Sequence, residues 1–100
     1  MNAAMPKDAW LLRLYVAGDS PNSVIAVRNL REVIKKFPRA QVRLELVDVL
    51  LEPERGLRDG VLVTPTLVKV QPAPERRIIG TLKDNSALLA GLGLAEGEVE

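Results

Sequence analysis

The stretch WLLRLYVAGDSPNS (residues 10–23) decides how the fold begins. Its first seven residues are almost continuously apolar and rich in β-formers, which predicts a strand buried on both faces. Gly18 and Asp19 then favour a turn. Ser20 is placed to cap the free amides of a helix, and Pro21 suits the first helical position because it has no N–H to lose. The stretch therefore predicts a strand that leads directly into a helix.

The residues that follow complete a β-α-β unit. Apolar side chains recur at helical spacing, and the buried face they predict consists of Val24, Val27, Leu30, Ile34 and Phe37. Residues 41–46 alternate, with Val42, Leu44 and Leu46 pointing one way, so they predict a half-buried strand near a sheet edge. Crossovers of this kind join parallel strands.

The second half of the chain carries weaker signals, because most of its glycines and prolines lie there. Pro53 and Gly60 bound a short predicted helix. Residues 61–70 predict a strand interrupted by Pro65, residues 71–75 a turn, and residues 76–82 a returning strand. A last helix is expected to end near Leu92, and three residues are candidates for its cap: Asp84, Asn85 and Ser86.

The assembled order is β-α-β-α-β-β-α, an α/β fold with a parallel strand pair, an antiparallel hairpin and helices on both faces of the sheet. This is the thioredoxin-like arrangement. Thr64-Pro65-Thr66 falls where such folds place a cis-proline, so we expect cis-Pro65. The alternative is an ordinary edge-strand proline without functional meaning. The position of the redox Cys-x-x-Cys motif holds no thiol, which excludes thiol redox chemistry.

Composition narrows the function further. The 100 residues suit one domain, with net charge +1, three aromatic residues and neither cysteine nor histidine. Thiolate metal sites and the usual general base are therefore excluded, and we expect no enzyme activity, cofactor, bound metal or nucleic acid. No apolar run is long enough to span a membrane, and no secretion signal is evident, so a cytoplasmic location is expected. The predicted organisation is a flexible N-terminus (1–9), one domain (10–94) and an acidic tail (95–100).

Four stretches in order resemble the KaiB family of circadian-clock proteins: LYVAGDSPNS (14–23), VDVL (47–50), TPTLVK (64–69) and RRIIGTL (76–82). The resemblance implies a non-enzymatic adaptor that binds the ATPase ring of KaiC, sequesters KaiA and competes with the thioredoxin-like domain of the kinase SasA. It also implies two alternative folds, a monomeric thioredoxin-like fold and a tetrameric ground-state fold with a rearranged second half. We expect this chain to adopt the thioredoxin-like fold even when no partner is bound.

The resemblance also suggests site residues. Lys69, Arg76 and Arg77 match basic positions that serve the family's partner interface, although an ordinary solvated hairpin would hold similar residues. Pro65, Gly91 and Gly93 fall at positions linked to the fold switch, and Gly93 stands where the family usually has Asp. The edge strand near residues 41–46 is a second candidate docking surface. The alternative function is an adaptor in stress or signalling outside the clock.

Overall fold

The computed structural model describes residues 9–36 and 42–92. It confirms the predicted element order. The strands and helices are β1 (Trp10–Val16), α1 (Pro21–Ile34), β2 (Val42–Asp48), α2 (Pro53–Arg58), β3 (Thr66–Gln71), β4 (Arg76–Ile79) and α3 (Asn85–Gly91). The expectations for Phe37, Gly93, the N-terminus (1–9) and the acidic tail (95–100) lie wholly or almost wholly outside the described residues.

The four strands form one mixed sheet in the order β2-β1-β3-β4. Strand β1 pairs in parallel with β2, with Trp10 opposite Val42, and antiparallel with β3, with Leu14 opposite Leu67. Strands β3 and β4 form the antiparallel hairpin. The apolar strand β1 is therefore central, and the alternating strand β2 lies at an edge, as its sequence predicts.

The side chains of β1 serve two cores on opposite faces of the sheet. Leu12 and Leu14 pack with α1 and α3, whose buried residues include Leu30 and Leu88. Tyr15 lies on the other face in a smaller cluster that also contains the residues Val47 and Val68. This second face is the one over which α2 lies, so helices cover both faces of the sheet, as expected.

The buried side of helix α1 matches its prediction only in part. The buried residues are Ser23, Ala26, Leu30 and Val33, of which the prediction included Leu30. The expected residues Val27 and Ile34 are partly buried against the same core, whereas Val24 is 53% exposed. The small side chains of Ser23 and Ala26 let the helix lie close to the sheet. The Ser20 side chain makes no capping hydrogen bond with a backbone amide of the helix. Its hydroxyl instead donates a hydrogen bond to Ser23 Oγ, and Ser23 Oγ also accepts a hydrogen bond from the backbone amide of Ala17.

The strands of the second half are shorter than predicted. Strand β3 starts only at Thr66, after a cis Thr64–Pro65 bond, because proline cannot donate to the sheet and residues 61–64 run outside it. Strand β4 ends at Ile79, because Gly80 and Leu82 have left-handed φ angles of 114° and 64°. Of the three candidate caps for α3, Asp84 accepts the amide of Ala87 at 3.0 Å.

Candidate partner-binding surface

Two of the three predicted interface cations are neighbours. Lys69 and Arg76 are register partners on β3 and β4, so their side chains share one face of the sheet. Lys69 is only 4% exposed, and its Nζ lies 5.2 Å from the centroid of the Trp10 ring, a cation–π contact. Among the described residues neither cation has a carboxylate within salt-bridge distance.

The electrostatics of this pair follow from burial. Desolvation lowers the pKa of Lys69, and the nearby charge of Arg76 lowers it further. Arg76 itself is exposed. Lys69 and Arg76, here called the basic pair, therefore combine a partly desolvated ammonium with an accessible guanidinium. Such a pair suits a carboxylate-bearing partner surface.

Arg77 lies on the opposite face of the sheet, because its register partner is Val68. Its guanidinium donates to the carbonyl oxygens of Asp59 and Gly60, the latter at 3.3 Å, and its Nε lies 3.4 Å from Glu75. These contacts attach the turn after α2 to the sheet. The three predicted cations therefore do not form a single cluster.

The predicted switch residues that the structure describes lie at close contacts between elements. The Pro65 carbonyl accepts the amide of Gly80 at 3.0 Å, which joins the start of β3 to the end of β4. Gly91 packs α3 against β4 so closely that an added Cβ would lie 2.7 Å from Ile78 Cδ1. Both residues therefore have packing roles in this fold. Gly93 lies outside the described residues.

Sequence reasoning missed an exposed apolar surface. Leu57, Leu62 and Val63 line a groove between α2 and residues 61–64, and Leu62 is 94% exposed. Leu50 and Leu51 are also largely exposed in the turn before α2. The sequence analysis did not predict this surface, because it assigned residues 61–70 to a strand and therefore placed Leu62 and Val63 in the sheet. Pro65 interrupts that strand and could have indicated that the residues before it lie outside the sheet.

The Asp48 carboxylate has a structural role. Asp48 Oδ1 accepts the amides of Gly18 and Leu50 at 3.0 and 2.9 Å, which fixes the turn at the end of β2. Within residues 9–36 and 42–92, no group of three potential metal-ligating side chains comes together. In the same residues no helix is long and apolar enough to cross a membrane.

The sequence model of the KaiB domain matches residues 13–94. The curated relatives include the circadian clock oscillator protein KaiB of Synechococcus elongatus, 43% identical over 95 residues, which cover 95% of this chain and 93% of the relative. The KaiB protein of Prochlorococcus marinus strain MIT 9303 is 43% identical over 94 residues, or 94% of this chain and 79% of that protein. The chain belongs to the KaiB family.

Solved structures place this KaiB-family chain among thioredoxin-like folds. The N-terminal domain of Synechococcus elongatus SasA superposes with a TM-score of 0.72 and 24% identity, covering 97% of this chain and 95% of that domain. Mitochondrial thioredoxin 3 from Saccharomyces cerevisiae gives a TM-score of 0.68 at 24% identity, covering 84% of this chain and 76% of its own. Both comparisons concern the fold alone. They confirm the thioredoxin-like prediction over the rearranged alternative as the fold seen here.

Proposed function

We propose that this chain is a non-enzymatic, cytoplasmic adaptor that docks on a ring ATPase of the KaiC type and takes part in circadian timing. The observation that carries the proposal is the 43% identity, over 95 residues, to proteins named as circadian clock oscillator components. An identity of this extent covers the whole described domain, including the hairpin that holds the basic pair.

The chemistry of the chain favours binding over catalysis. The sequence contains no cysteine or histidine, and Asp48 already accepts two backbone amides at its turn. The described surface instead exposes large apolar side chains around α2, with Leu57 81% exposed. Exposed apolar groups that lie together are typical of protein-binding surfaces.

The basic pair is our candidate for electrostatic recognition. An accessible Arg76 beside a partly desolvated Lys69 offers positive charge without a neighbouring carboxylate among the described residues. Charges of this kind mainly accelerate association with an acidic surface and set its orientation. We include Arg77 as a candidate contact as well, although its guanidinium also holds the turn after α2.

Two further partners follow from the same proposal. A SasA-like kinase domain shares the fold, so it would compete for one surface of the ATPase. A KaiA-like protein would be held by the ATPase-bound chain, and β2, which lies at an edge of the sheet formed by the described strands, offers backbone groups for such a contact. We propose that the free chain is a monomer in the thioredoxin-like fold and that tetramers belong to the alternative fold.

The test is a binding titration of the purified chain against a purified KaiC-type ring ATPase, with a ring ATPase of another family as the control. Saturable binding to the first and not to the second supports the proposal. Absence of binding to the KaiC-type ring, together with capture of other proteins by the folded chain, would favour the alternative of an adaptor in stress or signalling outside the clock.

A further inference from the structure

Helix α2 is attached to the sheet by very little apolar surface. Gly56 is its single buried residue, and it rests on Val49, which an added Cβ at Gly56 would approach at 3.2 Å. Leu57 points into solvent. A helix is usually held on a sheet by the burial of apolar surface, and α2 buries very little of it.

Polar contacts hold α2 instead. Glu45 on β2 bridges two arginines: its Oε1 accepts Arg13 Nε of β1 at 2.7 Å, and its Oε2 accepts Arg55 of α2 at 3.0 Å. The Tyr15 hydroxyl donates to the Asp59 carboxylate, directly after α2. Arg77 donates to the backbone carbonyls of the same turn. The helix and its following turn are thus tied to β1, β2 and β4, mostly through charged groups.

The side chains of this network are only partly exposed, which makes their ion pairs stronger than those on an open surface. The exposed fractions are 22% for Arg13, 37% for Glu45 and 19% for Arg55. Glu45 carries the connection between the sheet and Arg55, because both arginines use its carboxylate. Because the two ion pairs share one carboxylate, neutralising Glu45 weakens both of them at once.

We propose that α2 is a separately detachable segment, held on the sheet by a polar latch that consists of Glu45 with Arg13 and Arg55, Tyr15 with Asp59, and Arg77 with the turn. Neutralising Glu45 removes the ion pairs of the latch and so weakens the attachment of residues 53–60, while the sheet, α1 and α3 remain folded. This property belongs to the free chain and does not depend on binding to an ATPase.

Low pH should open the latch, because it protonates the carboxylates. The hydrogen bonds from Arg55 and Arg13 lower the pKa of Glu45 below 4.5, and the hydrogen bond from Tyr15 lowers the pKa of Asp59 below 3.8. A lowered pKa in the folded state means that the latch is fully formed near neutral pH and is lost as pH falls through these folded-state values. The other charged groups on the elements around the latch are Arg43, Glu52, Glu54, Arg58 and Glu75.

Amide hydrogen exchange measures the latch directly, because three backbone hydrogen bonds report on α2. The amides of Asp59, Gly60 and Val61 donate to Arg55, Leu57 and Gly56. In Glu45→Gln at neutral pH, we expect their protection factors to fall about 5- to 30-fold, while those of the β1 amides stay unchanged. In the unmodified chain, the same selective loss should develop as pH falls through the lowered pKa of Glu45.

The matched control is Glu32→Gln, which removes an exposed ion pair with Lys35 on α1 and should leave all protection unchanged. If Glu45→Gln does not fold, Arg55→Met tests the same connection from the helix side. Equal loss of protection in α2 and β1 would show that α2 unfolds only with the whole molecule and would overturn the proposal. Unchanged protection of α2 in a folded Glu45→Gln chain would overturn it as well.

Discussion

The surroundings of Lys69 determine the pKa of its side chain. It sits in the middle of a short strand over the Trp10 ring, with Arg76 opposite, and burial lowers its pKa. Because the folded chain then holds this proton less tightly than the unfolded chain, the free energy of unfolding should increase as pH rises through the lowered pKa toward 10.5.

We expect this increase in urea denaturation curves recorded from neutral pH to just below pH 10.0. Above that value the raised pKa of Tyr15 would act in the opposite direction. Lys69→Met should remove the increase, and Lys83→Met, at an exposed lysine, should retain it. The same pH dependence in Lys69→Met would show that another group is responsible.

Asp48 is a second residue with a defined local role, since one of its oxygens accepts the amides of Gly18 and Leu50. Asp48→Ala should lower the free energy of unfolding by about 1–3 kcal/mol, because both amides lose their acceptor. Asp48→Asn keeps an acceptor oxygen and should recover most of that loss. Chemical denaturation of the two variants makes the comparison, and an Asn variant as unstable as the Ala variant would contradict this role.

At the scale of elements, α3 depends on its close approach to β4. Gly91 leaves room for Ile78, and a larger side chain would collide with it. We expect Gly91→Val to cost about 1–3 kcal/mol of stability in the unmodified chain, through overpacking. The cost should be smaller when Ile78→Ala has made room, and a double-mutant cycle measures the difference. Equal costs in both backgrounds would show that the contact does not limit α3.

The elements also show which parts of the fold are predictable from sequence. Strand β1 and the start of α1 are explained by local signals, an apolar run followed by Gly18 and Pro21, and the structure confirms both. The precise buried side of α1 is not predictable in this way, because the sets that begin at Val24 and at Ser23 both recur at helical spacing and share Leu30. Close packing on the sheet selects the smaller side chains, and that selection is a tertiary effect.

The candidate site was predictable only in part, for a similar reason. Register pairing brings Lys69 and Arg76 together across the hairpin. The alternation of a strand also sends Arg77 to the other face, a consequence that depends on where β4 begins. The exposed apolar residues Leu57 and Leu62 became visible only once the path of residues 61–64 was known.

For the whole molecule, the fold carries a prediction about assembly. The structure has the thioredoxin-like fold, which we propose to be the monomeric state, with tetramers belonging to the alternative fold. Sedimentation should therefore give a monomer under conditions where carbon secondary shifts show residues 85–91 as a helix. A tetramer in which these residues are extended would mean that the alternative fold dominates in solution.

The basic pair and the exposed apolar groove lie on different faces of the molecule. The basic pair lies on the face that packs with α1 and α3, whereas the apolar groove belongs to α2. Binding through charge is screened by salt, while binding through apolar burial is much less so. The salt dependence of partner binding therefore reports which surface the ATPase engages first.

The most direct test of the account is the association rate of this chain with a KaiC-type ring ATPase, measured across ionic strength. We predict a rate that falls as salt increases, a rate about tenfold lower for Arg76→Glu at low salt, and an unchanged rate for Lys83→Glu. No binding by the folded chain would contradict the proposed function. Normal binding with an Arg76→Glu rate equal to the unmodified rate at low salt would contradict recognition through the basic pair.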